Sequence, residues 1–116
     1  MVNERRHNPR VRVSHPCLFW TGISPTPRLA STVDLSLGGV RFATPYCLIT
    51  DQMVDLAIAI GGSVISCQGR VVYVLLDVDR PMAGVRFEKI SNQDRLHLDE
   101  HISNLLEQQS EMSYLS

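Results

Sequence analysis

Lysine is almost missing from this chain. Lys89 is the single lysine among eleven basic residues, and the rest are arginines. Guanidinium groups make bidentate contacts with phosphate or base edges and stack on flat rings, which a lysine ammonium does not do. Cysteine is also scarce: Cys17, Cys47 and Cys67 are odd in number, far apart and free of any CxxC pair. That spacing favours neither a structural zinc site nor a disulfide framework, and the expectation is reduced, partly buried thiols. Long hydrophobic runs are absent. Met53–Ile60 and Val71–Val78 are the longest, they carry Asp55 and Asp77, and they are too short to cross a bilayer as a helix. The first residues lack the apolar core of a signal peptide, so a cytoplasmic location is expected. No GxSxG elbow, Walker A lysine motif or locally supported Cys-His pair occurs, and the sequence gives no support to an enzyme.

What is present is a chain of 116 residues with ordinary globular composition, suited to one domain. The formal net charge is −1, yet Arg5, Arg6, Arg10 and Arg12 crowd the first dozen residues. Residues 1–9 have no apolar pattern and read as a flexible basic arm. From residue 10 to residue 90 the period is two. Arg10–Trp20 reads as a first strand, with Pro16 at an edge or bulge. Thr21–Pro27, with one glycine and two prolines, reads as a loop. Leu29–Leu35 and Val40–Phe42 are extended on either side of Gly38-Gly39. Val54, Leu56, Ile58 and Ile60 alternate toward Gly61-Gly62, a hairpin dipeptide. Val64–Leu76 returns with Gly69 as a bulge point, and Met82–Ile90 is the last strand.

The period then changes. Leu98, Ile102, Leu105 and Leu106 form a helical stripe, so one amphipathic helix is predicted over residues 92–109, in a C-terminal segment spanning 91–110. Ser91 with Asp94 resembles a capping box. Six short strands followed by one helix predict a mainly β fold: a six-stranded antiparallel β-barrel with a C-terminal α-helix.

Two motifs carry the chemistry. Arg6 and Arg10 form RxxxR on the arm. Asp34, Ser36 and Gly39 form DxSxxG at a strand end. Asp34 and Ser36 alternate with Leu35 and Leu37, so both polar side chains leave one sheet face and the leucines point to the core. Guanine presents O6 and N7 acceptors to a guanidinium fork and N1 and N2 donors to a carboxylate. Arg10 to Ser36 is one strand out, a loop and one strand back, which returns arm and turn to the same region.

Together the motifs resemble the PilZ domain family, over roughly residues 4–105. The resemblance implies a six-stranded barrel that binds cyclic di-GMP and acts on motility, exopolysaccharide production, biofilm formation or virulence. It assigns Arg5, Arg6, Arg10, Asp34, Ser36 and Gly39 to the ligand. The residue preceding RxxxR is linked in the family to ligand number, and Arg5 there favours two molecules per site. Gly38, Arg70 and Tyr73 are further candidates, Tyr73 falling near a position where the family carries a bulky residue beside guanine. Arg41 and Arg86 sit on strands, and the sequence leaves open whether they share that face. Ligand binding is expected to clamp the arm and change the surface seen by a downstream protein. No metal is expected: His97 and His101 have i, i+4 spacing but read as surface residues, and His7 and His15 show no partner spacing. Alternatives are a protein-interaction module of pilus or motility machinery, or a small-barrel nucleic-acid binder. With 6% aromatics and basic residues concentrated in one arm, nucleic acid is not the expected partner. A homodimer through the helix is a further option.

Overall fold

The computed structural model describes residues 9–22, 24–76 and 79–115, with side chains described as far as residue 109. Seven strands precede one helix: β1 (Val11–Arg12), β2 (Pro16–Thr21), β3 (Ser24–Leu35), β4 (Gly39–Ala43), β5 (Met53–Ile60), β6 (Ser63–Leu75), β7 (Met82–Ile90) and α1 (Asn92–Leu115). All pairings are antiparallel. The order β3-β2-β5-β6-β7-β4 closes on itself through β3–β4, and β1 adds to β3 as an extra short strand. Closure leaves the six-membered ring without a free edge. The fold is therefore the predicted six-stranded barrel with one helix.

Period-two patterning builds the interior. Val54, Leu56, Ile58 and Ile60 of β5 are all buried, as are Val40 and Phe42 of β4. Phe19 and Phe42 stack across the core with centroids 5.3 Å apart. Gly61 and Gly62 turn β5 into β6 with φ of 52° and 85°, a left-handed conformation open to glycine. Cys17 and Cys67 face inward, and burial pushes both thiols up to about 12, so they remain protonated. Cys47, by contrast, is exposed.

Three boundaries differ from the sequence reading. The first strand divides into β1 and β2, separated by Val13–His15. The segment read as a loop belongs to β3 from Ser24 onward. Register runs from Phe19↔Arg28 to Thr21↔Ser24, so Pro25, Thr26 and Pro27 face Trp20 alone across a bulge. Prolines fit there because no ladder hydrogen bond is asked of them. The helix continues to Leu115 rather than stopping near residue 109. Its stripe does what the spacing predicted: Leu98 and Ile102 are buried, and Leu105 and Leu106 pack against the core. At its start the Asp94 N–H donates to Ser91 Oγ at 3.1 Å, as in a capping box. Asp94 Oδ2, however, accepts from the Ser66 N–H of β6 at 3.1 Å and so ties the helix to the barrel.

Candidate functional site

The turn between β3 and β4 is held by its own serine. Ser36 N–H donates to the Gly39 carbonyl at 2.9 Å, while Ser36 Oγ accepts from the Gly38 and Gly39 N–H groups at 3.2 Å each. The Phe87 N–H donates to the Gly38 carbonyl at 2.9 Å and anchors the turn to β7. Ser36 is buried, and its hydroxyl is engaged in the turn. Gly39 is needed for space: its φ is not positive, but a Cβ there would lie 2.2 Å from the Val85 carbonyl oxygen. The glycine lets β4 start flush against β7.

Antiparallel pairing across this turn sets Asp34 opposite Arg41. Arg41 donates from Nη2 to Asp34 Oδ2 at 2.5 Å, and Arg10 donates from Nη1 to Oδ1 at 2.6 Å. The carboxylate is thus bridged between the residue preceding β1 and strand β4, and Asp34 is only 3% exposed. A buried carboxylate is tolerable only with such partners. Desolvation pulls the Arg41 guanidinium down, but hydrogen bonding and charge from Asp34, with help from Tyr73, push it up overall. Arg41 was left open by the sequence; counting outward from the Ser36–Gly39 turn is the signal that pairs it with Asp34.

Beside this triad lies a cleft of about 700 Å³, within the range of small-molecule sites. Pro9 and Arg10, the turn residues Ser36, Gly38 and Gly39, Val72 and Tyr73 of β6, and Gly84, Val85 and Arg86 of β7 line it. The β6 register shifts between Val71 and Tyr73. Val71 is fully buried, whereas Tyr73 reaches the cleft. Gly84 admits its ring, since a Cβ there would sit 2.3 Å from Tyr73 Cε2. Arg86 was also left open by the sequence, and it is on the cleft. Asp34 and Arg41 are not among the lining residues; Arg10 covers the carboxylate from the cleft side. Arg70 is set back from the cleft, donating to Glu88 at 3.2 Å and to the Asp51 carbonyl at 3.1 Å. Glu88 also accepts from Arg86 at 3.1 Å, and the Arg86 and Arg70 guanidiniums hold its carboxyl below the usual range. Arg5 and Arg6 lie outside the described residues.

The histidines depart from the sequence reading. His15, on the β1–β2 connection, meets His101 of α1 with Nε2 atoms 2.9 Å apart. His97 Nε2 is buried without a hydrogen-bond partner among the described residues. These rings are therefore part of the helix–barrel junction rather than free surface groups. No group of three metal-ligating side chains occurs among the described residues. Among the described residues, no helix is long and apolar enough to cross a membrane.

The site is thus an external cleft on a closed small barrel, lined by Arg10 and Arg86 and bordered by a serine-locked turn. The PilZ domain model matches residues 4–104, and the chain belongs to that family. No curated protein matches it in sequence. Among solved structures, the motility inhibitor MotI/DgrA of Bacillus subtilis is similar at TM-score 0.75 and 14% identity, over 90% of this chain and 53% of that one. The PilZ domain of Escherichia coli YcgR with c-di-GMP is similar at 0.75 and 16%, over 95% and 98%. The K. pneumonia MrkH–c-di-GMP complex is similar at 0.75 and 20%, over 94% and 55%. The chain therefore spans about half of MotI/DgrA and MrkH and nearly all of the isolated YcgR domain.

Proposed function

We propose that this protein is a cyclic di-GMP receptor that binds the dinucleotide at the cleft between the RxxxR arm and the DxSxxG turn. The observation that carries this reading is the 2.6 Å contact between Arg10 and Asp34, which joins the two motifs at one place. Family membership and the c-di-GMP complexes of similar folds support the ligand's identity.

In this reading Arg6 and Arg10 take phosphate oxygens and guanine O6 and N7, each charge-assisted hydrogen bond contributing about 1.5–3 kcal/mol. Asp34 accepts from guanine N1 and N2. Ser36 keeps the turn in shape and, with Gly38 and Gly39, offers a surface without bulky side chains. Tyr73 and Arg86, also on the cleft, supply stacking and phosphate contact. Arg5 favours a stacked pair of ligands. An arm with little apolar surface cannot order itself by burial, so a dianionic ligand orders it and changes the face presented to a downstream protein. Outputs in motility or biofilm formation accord with the motility inhibitor among similar folds.

Calorimetry with cyclic di-GMP tests the reading. Micromolar or tighter binding, abolished by Arg6→Ala and by Arg10→Ala, is expected. A flat titration of the folded protein rejects it. One ligand per site rejects the stacked pair alone.

A further inference from the structure

The Asp34 carboxylate is ready for a ligand only if a cation stays with it when the ligand arrives. Arg10 cannot be that cation. It lines the cleft and covers Asp34 Oδ1, so any donor reaching the carboxylate from the cleft must first move Arg10 aside. Its side chain is 51% exposed and belongs to the segment just before the two-residue strand β1, whose sheet pairing is with β3 alone. Arg41 has the opposite character. It sits within β4, is paired on one side with β3 and on the other with β7, and holds the other carboxylate oxygen. It does not line the cleft, so a ligand there does not compete for it.

We propose that Arg41 is a positioning residue, the resident counter-ion of Asp34 that lets Arg10 leave the carboxylate for the ligand. The proposal rests on the cyclic di-GMP reading for its effect on affinity, but not for its effect on Arg10. With Arg41 in place, a departing Arg10 leaves behind a carboxylate that is still paired. Without Arg41, Arg10 is the sole partner of a buried charge, and releasing it exposes that charge to the full penalty of being unpaired. Arg41 removal should therefore tighten the ligand-free arm while weakening ligand binding. A residue that merely supported the fold would loosen the arm when removed.

Two variants and two measurements separate these outcomes. Arg41→Gln keeps a polar, hydrogen-bonding side chain and removes the charge; Arg41→Lys keeps the charge. In the ligand-free protein, ¹⁵N relaxation of the Arg10 Nε–H should show greater order in Arg41→Gln than in wild type, with Arg41→Lys close to wild type. Calorimetry should show cyclic di-GMP affinity falling by at least tenfold in Arg41→Gln and by less than threefold in Arg41→Lys. Unchanged or reduced Arg10 order in Arg41→Gln overturns the proposal. So does an affinity within threefold of wild type in that variant, or an equal loss in both variants. If the wild type itself binds no cyclic di-GMP, the functional reading fails, and the Arg10 relaxation still decides whether Arg41 releases the arm.

Discussion

Two arginine–carboxylate–arginine triads flank the cleft, and burial is what separates them most. Arg10–Asp34–Arg41 places its carboxylate side chain at 5% exposure. Arg70–Glu88–Arg86 places its carboxylate at 29% exposure, on the outer face of β6 and β7. The groups are chemically alike, but water reaches only the second. A buried carboxylate fixes its partners, because losing both leaves an unsolvated charge. An exposed one is rehydrated when a partner leaves, and such pairs contribute little to stability. The first triad therefore holds structure and, in the proposed function, reads ligand, while the second holds a guanidinium beside the cleft.

The sharpest way to break this contrast is to strip both partners from each carboxylate. Arg10→Ala with Arg41→Ala should cost about 3–5 kcal/mol of folding stability, because Asp34 is left buried and unpaired. Arg70→Ala with Arg86→Ala should cost far less, and urea unfolding of the two double variants measures the difference. Equal losses would mean that burial does not separate the triads. Gly39→Ala should come next, at about 2–3 kcal/mol. Its Cβ meets a backbone oxygen of β7 that cannot move aside without parting β4 from β7, and overpacking of this kind is costly. The same experiment separates space from backbone conformation as the reason for the glycine: with φ not positive at this position, Gly39→Asn should be at least as damaging as Gly39→Ala.

Most of the fold was legible because its signals are local. Alternation in β5 and β6, the Gly61-Gly62 turn and the Leu98–Leu106 stripe each lie within a single element. The bulge at Pro25–Pro27 was not legible, because prolines mark loops and strand bulges equally well until a register is known. In the site, Asp34, Ser36 and Gly39 were visible as a motif. The partner of Asp34 on β4 was not assigned, although the turn centre at Leu37-Gly38 gives it by counting. Arg86 and Gly84 come from β7, nearly fifty residues away from that turn, and no short-range pattern reports a neighbour across the barrel wall. The contact of His15 with His101 is longer still in sequence and depends on where the helix docks.

That histidine pair extends the comparison to a third polar junction, one built without formal charge. Burial lowers both rings from their usual value, with neighbouring His15 and His97 adding to the effect on His101. The folded state thus prefers neutral imidazoles. Their contribution to stability is complete above about pH 6.5, the unfolded value, and falls as acid protonates the unfolded chain first. The melting temperature should therefore decline between pH 7.5 and pH 5. His101→Gln should flatten that decline relative to wild type, measured by thermal unfolding across the range. An identical slope in the variant would place the acid sensitivity elsewhere.

The smallest effect is expected at Glu88, and it tests whether the exposed triad has a use. Glu88 competes with any anion in the cleft for Arg86, because the carboxylate takes an Arg86 Nη2 hydrogen bond at 3.1 Å. Glu88→Gln keeps the side chain's size and removes the charge. Since the pair is wet, unfolding by urea should match wild type within error. Arg86 would then face the cleft with its charge uncompensated, and a local positive potential raises the affinity of an anionic ligand. Affinity for cyclic di-GMP should rise about twofold at low salt and converge with wild type as added salt screens the difference. A loss of affinity instead would mean that Glu88 orients Arg86 rather than withholding it, giving the exposed carboxylate the same positioning role that burial gives Asp34.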